Sequence, residues 1–183
     1  MFLIALGLVL WTWPHLMNSL TPGLRTRLGD GRAKPLIALS ALLGIVLMVI
    51  GYRGADAGFV YAPPVWGQHL NNLLMVIAVV FLGAAHSKSR LRALIRHPML
   101  TGVAIWAVAH LLVRGDAASV LLWGGMLAWT LISRTATNRR AHDYVPFAGG
   151  SLTGDIRLAV ISAVVFAVIV AIHAWLGPMP LPM

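Results

Sequence analysis

"RHPMLTGVAIWAVAH", residues 96–110, joins Arg96, His97 and the helix-starting Pro98 to an apolar run that ends in a second histidine, His110. The run continues to residue 113 before "RGD" at 114–116, so it offers about sixteen residues where a membrane helix ordinarily needs about twenty. It predicts a short tilted helix or a re-entrant one. Outward from it the same character persists: the chain of 183 residues is 59% hydrophobic and 10% charged, against about 25% charged in soluble domains. Apolar runs able to cross a hydrocarbon core of roughly 30 Å recur along the whole length, leaving no part over for a soluble domain. The expectation is an all-α fold: one integral membrane domain over residues 1–183, a polytopic transmembrane bundle in the bilayer.

Six spans fit, at about 2–20, 35–52, 66–86, 98–113, 117–133 and 157–176, joined by short loops. Arg25, Arg27, Arg32 and Lys34 fall in the first loop, Lys88, Arg90, Arg92 and Arg96 in the third, and Arg134, Arg139, Arg140 and Arg157 in the fifth. The second and fourth loops hold only Arg53 and Arg114. This asymmetry predicts odd-numbered loops in the cytoplasm, the N-terminus outside and a cytoplasmic (inner) membrane location. The formal charge of +9 then has a topological cause, and nucleic acid is not expected as a partner. The N-terminus lacks the basic region and cleavage site of a secretory signal and reads as a retained span. "RGD" reads as a turn between two helices.

With no cysteine, disulfides, iron–sulfur clusters and thiolate chemistry are excluded, leaving His and Met as soft ligands. All five acidic residues are aspartates, so paired-carboxylate catalysis and carboxylate metal cages are poorly supplied. Seven histidines lie in or beside the spans. His15, His86, His97 and His142 form an inner set, and His69 and His173 an outer one. His110 is placed about 18 Å from the cytoplasmic boundary and His15 roughly 8 Å from it, on helical rise.

Trp11 lies one turn before His15, with Asn18 and Ser19 one turn after, which predicts a polar, aromatic face turned into the bundle. Trp106 and Ala107 share the face of His110, and Gly102 and Ala109 thin other parts of that helix. Two readings stand: each histidine makes a hydrogen bond that glues the bundle, or His15 and His110 ligate a haem iron, with His69 and His173 as the next pair. Arg96-His97-Pro98 is likewise open between helix-start chemistry and a contact to a cofactor propionate or substrate.

Arg96-His97-Pro98, then Gly102, Trp106, Ala109, His110 and Gly115, resemble the motif of the NnrU family of bacterial membrane proteins. That family is similar to the 15-cis-zeta-carotene isomerases of plastids and cyanobacteria. The likeness extends to His15 with Leu24-Arg25, to Asn138-Arg139-Arg140 and to Pro146-Phe147-Ala148. It implies haem b held by the residues matching His15 and His110, and an association with nitric oxide metabolism and denitrification. It also implies redox-dependent cis–trans isomerisation of an apolar substrate, but the isomerases carry a cysteine three residues before the second histidine, where this chain has Ala107. Partners on this reading are the lipid bilayer and an apolar substrate or redox partner. A non-catalytic assembly or regulatory subunit is the alternative. "RHPMLTG" also resembles the Arg-His-Pro-x-Tyr-x-Gly motif of membrane methyltransferases that use S-adenosylmethionine, but Leu100 replaces the tyrosine and the glutamates of those enzymes are missing.

Overall fold

The structure, a computed structural model, describes residues 1–141 and 143–177; His142, placed in the inner histidine set above, lies outside them. Eight helices are described: α1 (Phe2–His15), α2 (Met17–Leu20), α3 (Pro22–Arg53), α4 (Gly67–Ala84), α5 (Arg90–Leu94), α6 (Pro98–Leu111), α7 (Ala117–Arg140) and α8 (Leu152–Leu176). Among the described residues the only β-type pairing is an isolated bridge between Phe59 and Asp116. Four helices, α3, α4, α7 and α8, are long and apolar enough to cross a membrane, and α1 and α6 are shorter apolar helices of 14 residues each. Along α8, Val160, Ile161, Val164 and Val168 are each more than half exposed, a surface suited to lipid rather than water. The chain is a helical membrane protein.

The helices gather into two compact units: Met1–Ala62 with Gly115–His142, and Pro63–Arg114 with Asp143–Met183. In the first, α1 lies against α3 at backbone distance. A Cβ on Gly7 would stand 2.6 Å from the Gly44 carbonyl oxygen, and one on Gly44 would stand 2.8 Å from that of Gly7. Only glycine permits this approach. Pro14 cannot donate to the carbonyl of Leu10, and Ser40 Oγ of α3 donates to that oxygen instead, at 2.7 Å. α7 is capped by Asp116, whose carboxylate accepts from Ser119 N (2.9 Å) and Ser119 Oγ (2.7 Å). Tyr52 Oη lies 2.9 Å from the same hydroxyl and ties the end of α3 to this cap.

In the second unit α6 packs on α4, and a Cβ on Gly102 would stand 3.0 Å from the Ala78 carbonyl oxygen. The buried amide of Asn71 donates from α4 to the Ala109 carbonyl at 2.8 Å. α8 is capped by Ser151 Oγ, which accepts from Gly154 N at 3.0 Å. Asp155 accepts from Arg90 N (2.8 Å) and Arg90 Nε (2.5 Å), holding α5 against α8.

Three boundaries differ from those expected. The span of about 2–20 is broken at Leu16 (φ −95°, ψ 5°), as Pro14 removes a hydrogen bond from the last turn of α1. The cationic first loop is helical, joined to the second span as α3 with a kink at Gly29 (φ 63°). Asp30 pairs there with Arg25 and, one turn on, with Lys34 at 3.0 Å. α7 runs on to Arg140, so the cations at 134, 139 and 140 are helical rather than in a loop.

Candidate functional site

The two short apolar helices share one pattern. Gly7, Trp11 and His15 stand four residues apart on α1, and Gly102, Trp106 and His110 stand four apart on α6. Residues at this spacing lie along one side of a helix. In each case the glycine is where the short helix meets the backbone of a longer one, and the histidine is in the last turn. The repeat was legible as Gly-x3-Trp-x3-His, but three positions in fifteen residues stand out only once the glycine contacts are known.

Each histidine is tied back to its tryptophan. His15 Nδ1 lies 2.6 Å from the Trp11 carbonyl oxygen, and His110 Nδ1 lies 2.9 Å from that of Trp106. A carbonyl only accepts, so Nδ1 is the donor; in a neutral ring that leaves the lone pair on Nε2, the tautomer of a ligating imidazole. The indoles fix the rings further. Trp11 stacks on His15 at 4.4 Å between centroids, and Trp106 meets His110 edge-on at 5.3 Å.

The surroundings of His15 hold unused donors. Trp129 of α7 packs edge-on to both Trp11 (5.3 Å) and His15 (5.5 Å), and Ser133 follows it by one helical turn. Among the described residues, Trp11 Nε1 and Trp129 Nε1 are buried with no hydrogen-bond partner, as is Ser133 Oγ further along α7. Buried donors left this way are costly, and together they suit a bound group that carries acceptors.

The Asn18 and Ser19 face expected for His15 is not formed, since both residues fall in α2, beyond the break at Leu16. His15 and His110 belong to different units. His69 is exposed at the start of α4; His173 is exposed near the end of α8, and its Nδ1 lies 2.8 Å from the Ile169 carbonyl, without a tryptophan at that position. Arg96 and His97 stand together at the start of α6, on the wall of a cavity in the second unit that also includes Arg92. Sequence reasoning missed Trp129, Ser133 and Arg92 as site candidates. Among the described residues no three His or Asp side chains gather as a metal-ion site. A porphyrin supplies four of the iron's ligands itself, so axial ligation asks only for separate histidines.

No curated protein and no solved structure matches the chain. A family model described as NnrU protein matches residues 3–180, nearly its whole length and including both histidine helices. The chain therefore belongs to the NnrU family.

Proposed function

We propose that this protein is a b-type haem protein of the bacterial inner membrane, with His15 and His110 as axial ligands. The observation that carries the reading is the repeated Gly-x3-Trp-x3-His helix, in which both imidazoles have Nδ1 held by a backbone carbonyl. That device presets tautomer and ring orientation before any ligand arrives. The orphaned indole N–H groups of Trp11 and Trp129, whose rings pack on His15, suit carboxylate or other acceptor groups of such a cofactor. When bound, the haem supplies one-electron chemistry.

The chain's own residues favour electron transfer or sensing over isomerisation. His15 and His110 would both hold the haem iron, which would leave no place on it for a substrate. Ala107, at the place of the isomerases' cysteine, is fully buried and offers no side chain that could exchange with His110. A role in nitrogen-oxide metabolism fits this reading, through a redox partner at the membrane.

The test is a reduced-minus-oxidised spectrum with a pyridine haemochrome assay, on full-length protein purified in mild detergent from haem-replete cells. A b-type signal that disappears in the double variant His15→Ala/His110→Ala supports the reading. Colourless wild-type protein, or an unchanged spectrum in the double variant, overturns it and moves the assembly-subunit and methyltransferase readings ahead.

The proposal carries a topology of six spans with both termini outside. α1 and α6 would cross as short spans, since 14 residues rise about 21 Å and a bilayer thins or side chains snorkel to match. Reporter fusions after residue 90 are expected to read cytoplasmic and those after residue 55 external. The reverse pattern would sink this topology.

A further inference from the structure

In the second unit, α5, the start of α6 and the segment 144–147 line an open cavity of about 390 Å³ at the surface. Arg92, Arg96 and His97 are on its wall, and among the described residues that line it there is no carboxylate. The Arg92 guanidinium lies 4.3 Å over the Phe147 ring, and that of Arg96 lies 4.6 Å over Tyr144. An aromatic ring against a guanidinium covers one face and steadies the fork while its N–H groups radiate in the plane, where an anion accepts them. Arg92 Nη1 also donates to the Ser87 carbonyl at 3.2 Å, which fixes the side chain from behind.

Two further features set the sign and polarity of the ligand. His97 is the N-cap of α6 and makes no side-chain capping bond, so the positive end of that helix adds to the cationic wall. Ile95, Leu100 and Val145 make the rest of the lining apolar. The cavity lies where the apolar helix α6 begins, and Ala85, just past the end of α4, also lines it. Ends of membrane helices sit at headgroup level, where basic pockets take anionic lipid.

We propose that this cavity binds a phosphate-bearing anion, with Arg92 and Arg96 on its oxygens, and that its source is the headgroup of an anionic phospholipid. The inference does not depend on haem binding, because it uses neither His15 nor His110.

The experiment takes delipidated full-length protein in detergent and follows its melting and retained mass with phosphatidylglycerol, phosphatidylcholine of the same acyl chains, and inorganic phosphate. Phosphatidylglycerol is expected to bind in preference to phosphatidylcholine. Arg92→Gln/Arg96→Gln is expected to weaken it by at least about tenfold. Arg139→Gln/Arg140→Gln, which removes the same charge from the exposed end of α7, should leave it unchanged. A response to inorganic phosphate equal to that for phosphatidylglycerol supports the anion site with a soluble source. Equal binding of both lipids with no response to phosphate overturns the proposal, as does equal loss in the two double variants. Loss of haem from Arg92→Gln/Arg96→Gln with lipid binding intact would assign the cavity to cofactor carboxylates and also overturn it. If the glutamine variant fails to fold, the wild-type preference between the two lipids still decides, with Arg92→Lys/Arg96→Lys expected to bind more weakly than wild type.

Discussion

The helix ending in His15 and the helix ending in His110 carry the same glycine, tryptophan and histidine spacing, but their surroundings differ. α1 stops at His15, one residue past Pro14, and the ring lies exposed on the face of Trp11. α6 runs one residue past His110, whose ring is partly buried, and Asn71 anchors the carbonyl of the preceding residue, Ala109. The shared spacing sets tautomer and direction, while the neighbours decide how firmly each ring is held. On the proposed reading, the partly buried His110 would be the steadier ligand and the exposed His15 the one able to yield.

The largest effect should come from the glycines, because the comparison requires both short helices to touch a neighbour's backbone. A Cβ at residue 7 would lie 2.6 Å from the Gly44 carbonyl, and one at residue 102 would lie 3.0 Å from that of Ala78. Gly7→Val and Gly102→Val should each cost about 3 kcal/mol, since backbone cannot step aside as a side chain can. Gly124→Ala, with nothing within 4 Å, should be neutral or gain up to about 1 kcal/mol of helix propensity. Melting curves in detergent check this, and a wild-type curve from either valine variant would break the parallel.

Next come the histidines themselves. With haem bound as proposed, His110→Ala should lose the cofactor, whereas His15→Ala should keep part of it with a five-coordinate spectrum, because the more firmly held ring dominates affinity. Haem content and the reduced spectrum of each variant decide the order. Equal loss would remove the ranking while leaving the ligand pair in place, and greater loss from His15→Ala would invert it.

Much of this was legible in advance, and the failures have physical causes. Composition alone gave a helical membrane chain, and Pro98 marked the start of α6 through its preset φ. His15 and His110 stood out as polar side chains in apolar runs. The break at Leu16 was missed because Trp11, His15, Asn18 and Ser19 were placed on one continuous helix, although Pro14 weakens the last turn. Residues 22–34 looked like a loop on charge, yet Arg, Leu and Lys are good helix formers and Asp30 pairs with Lys34 along the helix. The stacking of Arg92 on Phe147 joins positions far apart in sequence, which no local pattern contains.

A smaller effect sharpens the difference between the two helices. Asn71→Leu deletes the amide that donates to the Ala109 carbonyl and leaves that oxygen buried. The expected cost is about 1 kcal/mol, as hydrogen bonds between membrane helices are modest. Its value is local: with haem bound as proposed, and if this bond steadies the turn that carries His110, Asn71→Leu should broaden the haem spectrum of a His15→Ala protein more than that of wild type. Identical changes in the two backgrounds would show that His110 is held by its own helix alone.

The smallest effect belongs to Asp155 and Arg90, on the second unit only. Arg90 is the first residue of α5, and Ser89 before it provides no side-chain cap. Asp155 therefore does two things: one oxygen accepts the Arg90 backbone N–H as a cap supplied from α8, and the other meets the guanidinium. Asp155→Asn keeps an acceptor for the N–H and removes the charge, so it should lower stability only slightly, as expected of a pair in which Arg90 is 63% exposed. Asp155→Ala removes both and should lower stability further, by the loss of the cap. Salt separates the two contributions: raising ionic strength from about 0.05 M to about 0.5 M should erase the cost of the asparagine variant and leave most of the cost of the alanine variant. Equal salt dependence in both would mean that the carboxylate acts through charge alone, and that α5 begins without help from α8.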